Sequence, residues 1–475
     1  MRRTIWFLGL LCAGDGPVAA EAFPVYTVAV SADLARLAVQ ACFPGKAPRG
    51  LVAADAGAAR SLEHAELLTD GARRVLRVEG DRVLVGTETP GDCVAYTVRL
   101  DTAESRHRSW RNPVQQVPGA VLVSPNLWLW CPDAGCGDLE VRFHLPAGFQ
   151  VSAPWQRIAG GDGNPVFRTG TRPADWASRV LLGRFDAARL KVPGATLEVA
   201  MSAGDPPIER DRILEWIRLE AQAVTQAYGK FPVERLQVLV VPVGPSDEPV
   251  PWGQVMRGGG DAVHLYIDQA QPYQAFLDDW VLVHEMSHLL HPFMHGDGRW
   301  LYEGIASYYQ NVLRGRAGLL SVQEAWNKLH AGFRRGLKGT RPHQTLAQAS
   351  ETMMQDRGFM RVYWSGAAIA LLADLELRRE SAGLQSLDTA LAALDRCCLP
   401  SDRLWSDLEV MQRLDALTGT DVFTGLYHRY RESEQFPELG DAYRQLGLEP
   451  ISDTEVRLRG DAQATALRDA LMGSG

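Results

Sequence analysis

Seven cysteines in 475 residues, no basic block and no long apolar run set the first limits on this chain. The 49 basic and 57 acidic residues sum to −8 without a cationic cluster, so nucleic acid is not an expected partner. Beyond the first residues no stretch approaches the ~18 uninterrupted apolar residues of a spanning helix, and no transmembrane segment is expected in the mature chain. Internal repeats and long low-complexity tracts are also lacking. What remains is ordinary for a soluble globular protein: 46% hydrophobic and 22% charged residues, in a chain long enough for two or three domains.

Residues 1–22 read as an export signal. Arg2 and Arg3 give the positive start, Ile5 to Ala13 the short apolar run, and Val18-Ala19-Ala20 or Ala20-Glu21-Ala22 a small-residue cleavage site. Cys12 follows Leu11 rather than a small residue, which argues against a lipoprotein anchor. Removing the segment leaves Cys42, Cys93, Cys131, Cys136, Cys397 and Cys398, an even number that fits disulfides in a periplasmic or secreted protein. Cys131 and Cys136 are spaced for one small loop, with Cys42–Cys93 as a plausible second bridge. Cys397 and Cys398 are adjacent and would pair only in a strained ring. An all-cysteine zinc site is disfavoured, because no second close pair has C-x-x-C spacing.

Residues 23–204 read mainly as strands. Arg74 to Val78, Arg82 to Val85, Val94 to Leu100 and Leu139 to Phe143 alternate or run apolar between Gly, Asp and Pro turns, and Glu79-Gly80-Asp81 suits a hairpin. A short helix around Ser31 to Ala41 is allowed. The expected fold of this half is an antiparallel β-sandwich, with Trp110, Trp128, Trp130, Trp155 and Trp176 as core and interface anchors. Asp205-Pro206-Pro207 marks a boundary. After it Ile208 to Tyr228 has helical spacing, Leu236 to Val241 and Val263 to Ile267 read as strands, and the remainder is almost wholly helical, including 300–313, 361–379, 387–394, 402–417 and 422–432.

The most informative stretch lies in this second half: His284-Glu285-Met286-Ser287-His288. Residues four apart on a helix sit one above the other, so the two imidazoles can share one metal, with Glu285 beside them to act on its water. Pro292 stops the helix. A catalytic zinc wants a third protein ligand and an open position. Glu303, in Trp300-Leu301-Tyr302-Glu303-Gly304, is the leading candidate, since the 15-residue step from His288 allows a loop and a return. His291, His295 and Asp297 remain as alternatives.

H-E-x-x-H followed by a W-x-x-E-G-x-x-S-Y-Y helix resembles the gluzincin metallopeptidases, and most nearly the glycyl aminopeptidase family, which is related to the alanyl aminopeptidases. Ala227-Tyr228-Gly229-Lys230-Phe231-Pro232 upstream, Tyr363-Trp364-Ser365-Gly366-Ala367 downstream, and Leu417 to Tyr430 and Tyr443 to Leu448 near the end carry the likeness across roughly 205–450. The resemblance implies an α+β multidomain protein: a thermolysin-like α/β zinc catalytic domain over 205–345 and an α-helical domain over 346–475, behind the β-rich 23–204. It implies one zinc ion held by His284, His288 and Glu303, and hydrolysis of peptide bonds by Glu285-assisted attack of a zinc-bound water. Tyr363, at the head of the Y-x-x-G helix, would stabilise the oxyanion. Ser307, one turn beyond Glu303, could steady a ligand through a hydrogen bond.

Gly258, Gly259 and Gly260 lead into Val263 to Ile267 and fit the strand along which such enzymes lay their substrate. The sequence also departs from its relatives. The G-A-M-E-N glutamate that holds a free amine in alanyl aminopeptidases is missing, with Asp261 as a possible substitute, which leaves endo- and exopeptidase action open. Leu448 stands too near the end of the sequence for the PDZ domain usual in the family, and the step between His288 and Glu303 is short. The alternative reading is a catalytically inactive zinc-binding recognition protein that uses its β-rich half. Retention of Glu285 argues against it, since a structural metal site has no use for a general base.

Overall fold

The computed structural model describes residues 23–44, 48–55, 57–69, 72–86, 92–101, 112–133, 135–170, 178–257, 259–401 and 403–473. The expected export signal, Trp110, Trp176 and Gly258 lie outside them. No helix among the described residues is long and apolar enough to cross a membrane.

The N-terminal half holds an eight-stranded sheet and two four-stranded sheets around a separate apolar core. Trp128, Trp130 and Trp155 are buried in that core, as their expected anchoring role requires. The eight-stranded sheet is not wholly antiparallel: Val25–Val30 pairs in parallel with Leu139–His144, a contact between strands far apart in sequence that no local turn signal announces. The region 31–41 is also not helical. Ser31 and Asp33 side chains accept from the main chain of a tight turn, and Arg36–Cys42 then alternates exposed and buried residues as a strand between Val25–Val30 and Cys93–Arg99. Cross-strand burial overrides the modest helical propensity of Leu37-Ala38. Cys42 and Cys93 face each other across this pairing and are bridged, as are Cys131–Cys136 and the adjacent Cys397–Cys398.

A five-stranded sheet carries the H-E-x-x-H helix. Its order is Asp186–Val192, Ala195–Met201, Arg235–Pro242, Ala262–Ile267 and Trp252–Met256. Its first two strands precede Asp205, so this sheet recruits residues from the stretch read as the N-terminal half. Trp252–Met256 runs antiparallel at the open edge, and Ala262–Ile267 is interior. Helix Val281–Ser287 packs against this edge and gives way to a 3-10 turn at His288–Leu290 before Pro292.

Arg299–Arg316 is the central helix, buried on nearly every side, and Phe359–Glu380 crosses it. The crossing is closed by two glycines. A Cβ at Gly366 would stand 1.7 Å from the Trp300 carbonyl oxygen, and one at Gly304 would stand 2.3 Å from the Gly366 backbone. Neither backbone can give way without moving a helix. Around these two helices the C-terminal part is helical throughout apart from a two-stranded hairpin, Leu448–Pro450 with Val456–Leu458. Four of its helix starts (Ser321, Thr345, Ser386 and Ser406) have full capping boxes.

The Gly304–Gly366 contact yields a stability prediction. Gly366→Ala lowers unfolding free energy by about 3 kcal/mol, the upper end of overpacking costs. Gly425→Ala, in helix Val422–Tyr430 with open space around it, is neutral or stabilises by up to ~1 kcal/mol. Denaturant unfolding of the two variants reads the difference directly.

Candidate active site

The histidine helix and the central helix bring three donors together. One ligand atom each of His284, His288 and Glu303 lies within 4.8 Å of the others, and all three residues are buried. Glu303 Oε2 is 3.2 Å from His284 Nε2 and 3.5 Å from His288 Nε2. Burial alone would raise the Glu303 carboxyl, but His288 and His284 beside it hold it far below the usual range. Two imidazoles and one carboxylate form a donor set that fits zinc, and His288 and Glu303 open onto a cleft.

Both Nε2 atoms are presented by partners on the other ring nitrogen. His284 Nδ1 lies 2.8 Å from Gln310 Oε1, an acceptor, so Nδ1 carries a proton and Nε2 is the atom turned to Glu303. His288 reaches the same state by a different route. His291 donates from Nδ1 to the Pro292 carbonyl at 2.9 Å, which leaves its Nε2 as an acceptor 3.4 Å from His288 Nδ1. The structure thus puts His291 behind a candidate ligand rather than in the donor group. His295 instead precedes the turn Gly296–Gly298, and Asp297 pairs with Arg431 at 3.4 Å. Ser307 is buried, and its carbonyl accepts from the Asn311 amide at 3.2 Å. Gln310, three residues on, holds the position that Ser307 was expected to fill. Its position seven residues after Glu303 puts it on the same helix face, but nothing in the sequence marks that amide as a partner for His284.

Glu285 points elsewhere. Its Oε2 accepts from the Val255 main-chain amide at 2.7 Å, on the edge strand Trp252–Met256. That approach depends on Gly253, where a Cβ would stand 2.3 Å from Val281 Cγ1 and 3.1 Å from Glu285 Cγ. Arg257, just after the strand, donates to the carbonyls of His288 and His291. Of the glycine run expected to meet substrate, Gly260 lines the cleft and also touches the N-terminal half. A Cβ at Gly260 would clash with the Pro154 carbonyl at 2.4 Å, and the Gly260 carbonyl accepts from Ser178 Oγ at 3.0 Å. Its close approach serves contact with the N-terminal half, and Gly259 is a left-handed turn residue. The edge strand beside the site is Trp252–Met256, which has no acidic side chain.

Tyr363 stacks on the His284 ring, with centroids 5.7 Å apart and planes 8° from parallel. Burial, reinforced by the Glu303 and Glu285 carboxylates, pushes its hydroxyl well above 10 and keeps it a proton donor. Glu285, His288, Glu303 and Tyr363 all face one cleft of about 2210 Å³. Asp261 lines the same cleft.

Residues 285–369 match the sequence profile of the M61 glycyl aminopeptidase family. This chain resembles that family. An aminopeptidase N family protein from Idiomarina loihiensis has a similar structure, with a TM-score of 0.70 at 16% identity over 93% of this chain and 82% of that one. An M1 zinc metallopeptidase from Deinococcus radiodurans aligns with a TM-score of 0.54 at 15% identity, covering 88% of this chain and 94% of its own. A variant of that enzyme bound to a Tyr-Ser-Ala substrate aligns at 0.56 and 14%, over 88% and 95%. No curated protein sequence matches the chain. The profile match covers the stretch that holds Glu285, His288, Glu303 and Tyr363, and the solved structures share the mixed α/β multidomain fold.

The imidazole pair predicts a measurable effect on metal binding. His291→Phe keeps a ring against Tyr302, whose centroid is 6.3 Å away, but removes the acceptor for His288. Zinc affinity should fall about 10–100-fold, as for other partners that orient ligands. His291→Gln, which keeps an acceptor, should fall less. Competition with a chromogenic chelator measures both, and a His291→Phe chain that holds zinc like the wild type would refute the assignment.

Proposed function

We propose that the chain is an exported zinc peptidase, with His284, His288 and Glu303 holding one zinc ion and Glu285 as general base. The observation that carries this reading is the separation of the two acidic roles. Glu303 joins the histidines, while the adjacent Glu285 is kept out of the group by its bond to Val255 and faces the cleft. When bound, zinc supplies Lewis acidity: it lowers the pKa of water and polarises a peptide carbonyl.

The chain's own groups account for the remaining steps. Glu285 takes a proton from the attacking water and passes it to the leaving amine. The Tyr363 hydroxyl donates to the oxygen on which negative charge develops. Trp252–Met256 receives the substrate by strand addition. The Val255 amide points away from Ala262–Ile267, and alternation puts the main-chain groups of Gly253 on that same open side. Export to a periplasmic or extracellular location is supported by the reading of residues 1–22 and by the three bridges.

Glu285→Ala should lower kcat by about 10²–10⁴-fold with zinc content unchanged. Tyr363→Phe should cost about 10²–10³ in kcat and leave KM nearly as it was. Steady-state kinetics on a broad peptide mixture, with metal analysis of each variant, tests both. Undiminished hydrolysis by Glu285→Ala would overturn the reading.

A further inference from the structure

We propose that the cleft selects peptides with large apolar side chains beside the scissile bond, a specificity that rests on the peptidase reading above. Eleven large apolar residues are open to water among the described residues, and five of them, Trp280, Phe293, Met354, Met360 and Leu404, line the cleft of the candidate site. The other six, Val75, Val78, Ile158, Leu337, Leu384 and Ile451, do not line it. The five in the cleft come from four separate segments: the start of the histidine helix, the turn after it, the facing ends of Leu346–Asp356 and Phe359–Glu380, and the loop after Cys398. Convergence of such residues on one concavity marks a surface that something apolar covers.

Trp280 and Phe293 join this wall to the candidate site, and Met354, Met360 and Leu404 line the same cleft. From His284 the contacts run to Trp280 at 5.2 Å and to Tyr363 at 5.7 Å, then from Tyr363 to Phe359 at 6.2 Å. From His288 they run to Tyr302 at 5.8 Å and on to Phe293 at 6.5 Å. An apolar group on this wall therefore lies beside the bond that Glu285 and Tyr363 would address. An extended peptide on the Trp252–Met256 edge turns alternate side chains to opposite faces, which brings individual side chains rather than the main chain to the wall.

Several charges that line the cleft are paired locally. Glu198 takes both Arg235 and, at 3.6 Å, Arg189. Lys230 meets Asp395 at 3.5 Å, and Arg257 is engaged by the His288 and His291 carbonyls. These bonds hold the basic groups in place but leave positive charge in the cleft, since Glu198 serves two arginines and carbonyls do not neutralise Arg257. Apolar area therefore acts beside charge as a means of choosing, and each added methylene in an apolar pocket is worth roughly 10–200-fold in kcat/KM.

The test is the cleavage profile of a randomised peptide library with the zinc-loaded full chain, read by mass spectrometry. Phe, Leu, Met, Tyr or Trp should be enriched next to the cut. The double variant Met354→Ser/Met360→Ser should lower the ratio of kcat/KM for a Phe peptide over an all-Ala peptide by about tenfold or more. Both sites are exposed, and a thermal melt checks that the variant folds. As a second readout, the Glu285→Ala chain should bind a labelled Phe peptide more tightly than the Ala peptide by fluorescence anisotropy. Cleavage without apolar enrichment, or an unchanged ratio in the double variant, overturns this proposal and leaves the peptidase reading intact. No cleavage of any peptide by the zinc-loaded wild type overturns both.

Discussion

The close crossing of the two long helices at Gly304 and Gly366 is the constraint on which the site depends. Glu303 sits beside one glycine and Tyr363 one turn before the other, so the backbone separation there sets how far the carboxylate stands from the phenol. A side chain at either position would push the helices apart and move both groups off His284. The W-x-x-E-G and Y-x-x-G-A patterns are therefore one device: the glycines set the geometry of the acid and the tyrosine to which the proposed function gives chemical roles. Trp300 completes it. Its carbonyl meets Gly366, and its indole donates to Asp407 at 2.9 Å, which also accepts from Arg431 at 3.1 Å. The C-terminal helices thereby fix the rotation of the helix that presents Glu303.

A second close approach works on the other side of the histidine helix. Gly253 lets the edge strand lie against Val281, and only then can the Val255 amide reach the Glu285 carboxylate. Adjacent residues on a helix project about 100° apart. The same turn can therefore give His284 to the donor group and Glu285 to the strand, where a peptide would lie. Bare spacing permits this division of roles, and the two glycine contacts impose it.

How much of this was legible in the sequence follows from how local each feature is. H-E-x-x-H, its helix and the Pro292 stop are set within a few residues and could be read directly. Glu303 needed the next helix, whose apolar pattern is strong. The edge strand was missed because Trp252–Met256 is short and follows Pro249-Val250-Pro251, whereas the glycine run after it drew attention that the Pro154 contact explains. Gln310 and His291 were not assigned their places, because a hydrogen bond to a ring nitrogen leaves no periodic trace. The Arg36–Cys42 strand and the Val25–Val30 pairing with Leu139–His144 depend on partners far away in sequence, which local propensity does not encode.

Arg257 shows how these local and distant demands meet. Pro292 ends the helix, and the chain passes through a 3-10 turn that leaves the His288 and His291 carbonyls without helical partners. Buried carbonyls of this kind are costly unless a donor reaches them. Arg257 supplies it from just beyond the edge strand, and its guanidinium lies 5.7 Å over the Phe293 ring. One side chain thus ties the end of the edge strand Trp252–Met256 to the turn that holds His288 and its partner His291. A cation at a helix C-terminus is also favoured by the helix dipole. The arrangement couples the position of the edge strand to that of His288, so a change in one is felt by the other.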